Sequence, residues 1–175
     1  MTKQFIYGID IGGSKIELAV FDASLKQLES WRIATPQNSY QDFLNALVGM
    51  ILSADHKYQC HGAVGIGMPG IVNANQQVLS ANVPHATGKN AAQDLAQLIN
   101  RPVAIENDCR CFALSEARSS VGLQHTRCSV QFLVLVRVVG CVLMVNCIKA
   151  PRELQVNTVI THFLQCYSRS TSYLF

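Results

Sequence analysis

Three short segments of this 175-residue chain gather residue types that handle phosphates and protons. The first is Gly8-Ile9-Asp10-Ile11-Gly12-Gly13-Ser14-Lys15, an apolar run with one acid that ends in two glycines, a hydroxyl and a lysine. Glycine lets backbone approach a polyphosphate closely, and successive N–H groups form an anion-binding concavity. Asp10, at the strand end, can orient a water on a phosphate-bound Mg²⁺, an ion that usually keeps several waters. The glycine pair alone is also what a plain hairpin tip looks like. The acid before it and Ser14-Lys15 after it favour phosphate binding. The four-residue spacer of a Walker A loop is missing.

The second segment, Gly65-Ile66-Gly67-Met68-Pro69-Gly70, follows an apolar strand and either brings backbone beside a ligand or serves packing alone. The third, Ile105-Glu106-Asn107-Asp108, reads as a strand running into a helix. Asp108 is then the N-cap or a first-turn acid favoured by the helix dipole. Its functional reading is a carboxylate at the mouth of a cleft that takes a proton from a substrate hydroxyl during phosphoryl transfer. Asn107 beside it offers a donor and an acceptor to neighbouring hydroxyls.

The elements that position these segments follow from periodicity and punctuation. Phe5 to Ile11 and Lys15 to Asp22 read as strands joined at Gly12-Gly13, and Gln27 to Ala34 as a third antiparallel strand ending before Pro36. Ser39 caps a helix from Tyr40 to about Ala54, with Phe43, Leu44, Leu47, Val48 and Ile51 on one stripe. His61 to Gly67 is a buried-type strand, Ala91 to Ile99 a helix, Pro102 to Glu106 a short strand and Asp108 to Arg118 a helix. Hairpin strands followed by βα units predict an α/β fold, a mixed sheet with flanking helices.

With 49% hydrophobic and 14% charged residues, the chain is composed like a globular domain, not a disordered one. The net charge of +3 is not concentrated in any window, which argues against nucleic-acid or anionic-membrane partners. Asp10, Lys15 and Glu17 interrupt the N-terminal apolar run, so it reads as neither signal peptide nor membrane span, and the chain reads as cytoplasmic. Seven cysteines, an odd number without zinc-finger spacing, read as reduced thiols.

Asp-Ile-Gly-Gly-Ser-Lys, Gly-Met-Pro-Gly and Glu-Asn-Asp-Cys-Arg-Cys-Phe-Ala-Leu-Ser-Glu-Ala together resemble the bacterial sugar kinases of the ROK family. Ser80-Ala81-Asn82-Val83-Pro84 and Thr87-Gly88-Lys89 resemble its N-acetylglucosamine branch. The likeness runs from about Tyr7 to Arg118 and implies the N-terminal lobe (residues 1–118) of an actin-like, ribonuclease-H-like ATPase. It implies that Gly8, Asp10, Gly12, Gly13, Ser14 and Lys15 serve the ATP phosphates, with Asp10 reaching Mg²⁺ through water. It also implies that Asp108 is the general base on a sugar 6-hydroxyl, and that Gly70, Asn82 and Asn107 help to hold the hexose or amino sugar. ATP and Mg²⁺ are the implied cofactors.

Beyond residue 118 the sequence changes character. Residues 119–175 hold one acid, Glu153, against five bases, and four of the seven cysteines. The resemblance implies a second glycine-rich phosphate loop here, then sugar-binding Glu and His residues and a His/Cys zinc cluster. Phe132-Leu-Val-Leu-Val-Arg-Val-Val-Gly140 stands in the loop's place, no zinc cluster follows, and His162 reads as incidental. The codons CTT GGT ACT GGT, for Leu-Gly-Thr-Gly, read one base later give Leu-Val-Leu-Val, the residues at 133 to 136. A tail translated out of frame is therefore expected to pack poorly, to leave the second lobe and the family's homodimer unformed, and to leave the chain with little or no kinase activity. The alternatives are a non-catalytic sugar-binding module or regulator, as in the family's repressors, or an unrelated α/β protein whose motifs are only turns and caps. The repressors carry a helix-turn-helix before the first strand, whereas here the first loop begins at Gly8.

Overall fold

Residues 4–73, 75–112, 128–135 and 140–147 are described by the structure, a computed structural model. A five-stranded mixed sheet organises the described residues up to 112. It is built from β1 (Ile6–Ile11), β2 (Lys15–Phe21), β3 (Gln27–Ala34), β4 (Ala63–Met68) and β7 (Val103–Asn107), in the order β3-β2-β1-β4-β7. The first three strands are antiparallel neighbours, and β4 and β7 run parallel to β1. Both hairpin turns are short, whereas the parallel strands need crossovers, supplied by α1 (Tyr40–Tyr58) and α2 (Ala91–Ile99).

Alternation along the strands sorts side chains onto two faces. Tyr7, Ile9 and Ile11 of β1, Ile16, Leu18 and Val20 of β2, and Val64, Ile66 and Met68 of β4 are buried in one core with Phe43, Leu47 and Ile51 of α1 and Leu95 of α2. On the opposite face Ala19 and Phe21 pack with Cys111, beside Ile6 and Phe112. The helix that opens at Asp108 therefore lies on this second face. Strand β3 alternates exposed and half-buried residues, as an edge strand does.

Helix α1 starts where Ser39 accepts the Asp42 N–H at 3.0 Å. It runs to Tyr58, four residues past the expected end, because the chain holds no breaker until Gln59 takes the left-handed conformation. Asn90 caps α2 in the same manner, accepting from Gln93 at 3.1 Å. Three small elements were not read from the sequence: β5 (Ile71–Val72) paired with β6 (Val78–Leu79), and the 3₁₀ turn Pro84–Ala86.

The Val-rich stretch, to which no element was assigned from the sequence, contains two strands, β8 (Cys128–Leu135) and β9 (Gly140–Cys147), paired antiparallel from Cys128↔Cys147 to Leu135↔Gly140. The helix expected over 108–118 is described through residue 112. Its remainder, and most of the tail expected to pack poorly, lie outside the described residues, as does His162. Among the described residues no helix is long and apolar enough to cross a membrane, and Cys60, Cys109 and Cys111 are free thiols.

Candidate active site

Because β1, β4 and β7 are parallel, their carboxyl ends share one edge of the sheet, where open α/β sheets form ligand crevices. Cross-strand register sets one row along that edge: Arg32, Glu17, Asp10, Gly67 and Glu106, on β3, β2, β1, β4 and β7 in turn. At about 4.8 Å per strand, Asp10 and Glu106 stand roughly 10 Å apart. Gly67 between them carries no side chain.

The buried Glu17 is held by Arg32, whose Nε lies 2.6 Å from Oε2. Among the described residues Asp10 has no such partner. Burial, then the negative charges of Asp108 and Glu17, push its carboxyl up to about 6 against the opposing pull of Lys15 and Arg32. The two acids singled out from the sequence, 98 positions apart, thus share one electrostatic neighbourhood. A carboxylate in such surroundings, as Asp10 is, suits a water carried by a phosphate-bound divalent cation.

Gly12, Gly13 and Ser14 form the turn between β1 and β2; Gly8 and Asp10 lie on β1 itself and Lys15 opens β2. The Gly12 N–H closes the turn on the Lys15 carbonyl at 2.8 Å. A Cβ on Gly13 would stand 3.2 Å from the Asn82 carbonyl oxygen, so the segment around Asn82 packs directly against the turn. That segment is itself fixed by Ser80, whose Oγ accepts from the Val83 N–H at 3.2 Å, and by the Thr87 hydroxyl, which donates to the Ser80 carbonyl at 3.1 Å. Two residues that the sequence reading passed over also hold the turn. The Thr35 hydroxyl donates to the Gly12 carbonyl and Gln37 Nε2 donates to the Gly13 carbonyl, each at 2.7 Å. The only signal was Thr-Pro-Gln directly after β3, read simply as the place where that strand stops.

At the end of β7, Asn107 takes the cap and Asp108 the first turn. Asn107 Oδ1 accepts the Arg110 N–H at 3.1 Å, while its Nδ2 donates to the Gly70 carbonyl and, at 3.1 Å, to Asp108 Oδ1. Asp108 Oδ1 also accepts the Cys109 N–H at 2.8 Å. Both N–H groups of the Asn107 amide are thereby used within the protein, leaving acceptor capacity on Oδ1 for a ligand. Gly70 sits at φ +126°, and a Cβ there would run into the Leu79 carbonyl. Only glycine lets the chain turn so close to β6. Burial, followed by the Asp108 charge, pushes the Cys109 thiol up to about 11, so it is no nucleophile at neutral pH.

The three sequence segments therefore converge: the diglycine turn, Gly70 and Asp108 all belong to the carboxyl end of the parallel strands, and Asn82 joins them through Gly13. The region where the resemblance calls for a zinc cluster, residues 119–175, lies largely outside the described residues.

Comparison with known proteins gives this arrangement a context. A profile described as the ROK family matches residues 6–149, past residue 118 and through β9. The N-acetylgalactosamine kinase AgaK of Shewanella sp. (strain ANA-3) is 51% identical over 121 residues, which are 69% of this chain and 39% of that protein. An N-acetyl-D-glucosamine kinase of Pasteurella multocida is 45% identical over 120 residues, 68% of this chain and 40% of its own. Among solved structures, a ROK family glucokinase from Streptomyces griseus in complex with glucose and AMPPNP superposes with a TM-score of 0.60 at 28% identity, covering 70% of this chain and 39% of that one. The chain spans about 40% of the length of the curated relatives it matches. Its mixed sheet with helices on both faces is the actin-like architecture of those kinases.

Proposed function

The chain belongs to the ROK family, and from that premise we propose that it is the N-terminal lobe of an ATP-dependent kinase acting on the 6-hydroxyl of N-acetyl-D-glucosamine or a related amino sugar. The observation that carries the reading is the convergence of Asp108 and the Gly12–Gly13 turn on one edge of the sheet, with Asp10 charged against Asp108. The amino-sugar preference is supported by the relatives, whose names specify acetamido sugars.

In this reading the N–H groups of the turn, with Lys15 beside them, bind the phosphates of ATP. Asp10 holds a water of the nucleotide's Mg²⁺, an ion that neutralises phosphate charge when bound. Asp108, kept in orientation by Asn107 and the Cys109 N–H, accepts the proton of the sugar 6-hydroxyl as that oxygen attacks the terminal phosphorus, whose bond to the bridging oxygen breaks so that ADP leaves. The Gly70 and Asn82 segments wall the sugar side, and the acceptor left on Asn107 meets a sugar hydroxyl.

This chain in its present form binds its ligands but turns them over weakly or not at all. The stretch 133–139 is rich in valine, whose branched side chain does not adopt the positive φ that a glycine phosphate loop uses to aim N–H groups. The residues Leu-Val-Leu-Val at 133–136 are what a Leu-Gly-Thr-Gly coding sequence such as CTT GGT ACT GGT gives when read one base later, which supports a displaced reading frame as the origin of this stretch. Sequencing the gene downstream of codon 128 in all three frames tests that origin, which fails if those codons yield no glycine loop.

A coupled ATP-consumption assay with N-acetylglucosamine, beside calorimetry of Mg-ATP and of the sugar, tests the function. Binding of both with turnover at least about 10³-fold below an intact relative is expected, since water exclusion and lid closure govern such reactions. Turnover close to an intact relative would overturn the inactivity. Absence of both binding events would overturn the kinase-lobe reading.

A further inference from the structure

We propose that Thr35 and Gln37 are positioning residues that hold the β1–β2 turn in its phosphate-binding orientation. The inference rests on the phosphate reading of that turn given above.

Three consecutive carbonyls are fixed from one side. The Gly12 carbonyl accepts the Thr35 hydroxyl at 2.7 Å, the Gly13 carbonyl accepts Gln37 Nε2 at 2.7 Å, and the Ser14 carbonyl accepts the Thr35 N–H at 3.0 Å. In a planar trans peptide the C=O and the following N–H point in opposite directions. Drawing the Gly12 and Gly13 carbonyls towards residues 35–37 therefore turns the N–H groups of Gly13 and Ser14 the other way. Neither N–H has an acceptor among the described residues. Two adjacent, outward N–H groups are the concavity that binds an anion.

The device is rigid where it must be. Thr35 is buried, 5% exposed, with both its N–H and its hydroxyl committed to the turn. Pro36 fixes φ between the two holding residues. Gln37 is exposed, and its amide also donates to the Thr35 carbonyl at 3.3 Å, which keeps the side chain folded back over the turn. A two-glycine turn has wide conformational freedom, and unrestrained peptide planes would flip, presenting carbonyl oxygens to a phosphate and repelling it. Thr35 and Gln37 remove that alternative without touching the ligand.

The test uses the full chain and inorganic tripolyphosphate with Mg²⁺ as the probe. Affinity is read by calorimetry, and the Gly13 and Ser14 amides are followed by ¹⁵N NMR. Thr35→Val and Gln37→Leu are each expected to weaken tripolyphosphate binding about tenfold and to shrink the ligand-induced shifts of those two amides. Thr35→Ser keeps the hydroxyl and is expected to bind within about twofold of the unaltered chain. Binding of N-acetylglucosamine should be unchanged in all three. Gln37 is at the surface, so Gln37→Leu keeps the test open if Thr35→Val fails to fold. Variants that bind tripolyphosphate as the unaltered chain does overturn the positioning role while leaving the phosphate site standing. So does a Thr35→Ser variant that is no better than Thr35→Val, or a joint loss of sugar binding. An unaltered chain that binds no tripolyphosphate overturns both readings together.

Discussion

Asn107 and Asp108, neighbours in sequence, are also bonded through their side chains: Nδ2 of the first donates to Oδ1 of the second at 3.1 Å. The same amide reaches the Gly70 carbonyl, and its oxygen caps the helix on Arg110. One side chain thus joins the end of β4, the end of β7 and the proposed base.

Asn107→Ala is expected to lose about 1 kcal/mol of stability from the cap alone, seen as a lower urea midpoint. Asn107→Asp keeps a capping oxygen but sets a second carboxylate against Asp108. Its deficit should be larger at pH 7 than at pH 4, and an equal deficit at both values would refute the charge argument.

Gly70 and Gly49 should respond to alanine with opposite signs. At Gly70 the positive φ and the Leu79 carbonyl leave no room for a methyl group, and a loss of about 3 kcal/mol or more is expected. At Gly49, on the exposed side of α1, an added Cβ meets nothing, and a gain of about 0.5–1 kcal/mol is expected. Thermal unfolding of the two variants checks both.

Asp10 carries a folded-state pKa of about 6 against an ordinary value near 3.8. An acid raised on folding contributes most below its unfolded pKa, and that contribution is lost as pH rises through the folded value. Asp10→Asn is thus expected to overtake the unaltered, metal-free chain in stability between about pH 4 and 6. The difference should level off near 3 kcal/mol above pH 7, as two pKa units correspond to about that much. Denaturant titrations across this range test it, and a constant difference would show that neither burial nor the neighbouring acids raise the Asp10 carboxyl.

Arg101 grips Asp55 with two hydrogen bonds, Nη1 to Oδ2 at 2.7 Å and Nη2 to Oδ1 at 3.0 Å. Burial pushes the Asp55 carboxyl up, but hydrogen bonds from Arg101 and His61 outweigh it and hold the group below its usual range. Arg101→Ala strips a buried carboxylate of its two-pronged partner, leaving only the exposed His61, and is expected to cost about 3 kcal/mol. His61 is 82% exposed, so His61→Ala should cost less than about 1 kcal/mol. Comparable losses in the two variants would overturn that ranking.

Much of this was legible in the residues themselves. Gln27–Ala34 shows its limits because alternation ends at a proline, and Ala91–Ile99 because an asparagine cap precedes an apolar stripe. Asp10, Gly12, Gly13 and Asp108 stood out because an acid before the glycine pair, Ser-Lys after it and an acid opening a helix form a combination that turns and caps alone do not require. β5 and β6 did not, since two-residue strands carry no period and are fixed by Gly70 and the Ser80–Thr87 hydrogen bonds. The valine-rich stretch hid two strands because a run apolar at nearly every position does not show which residues pair. Thr35 and Gln37 were missed for a different reason: their partners are backbone carbonyls 23 and 24 positions away, and a carbonyl has no residue type.

The grip of Arg101 on Asp55 has a mechanical consequence. Arg101 stands just before β7, and the strand that follows is an inextensible rod locked against β4, with Asp108 at its far tip. Seven residues of extended chain make a rod of about 20 Å. Pinning its near end to α1 therefore sets how far Asp108 stands beyond the carboxyl edge of the sheet. A change at the bottom of the sheet, remote from the proposed ligand site, would be felt as a displaced Asp108 at the top.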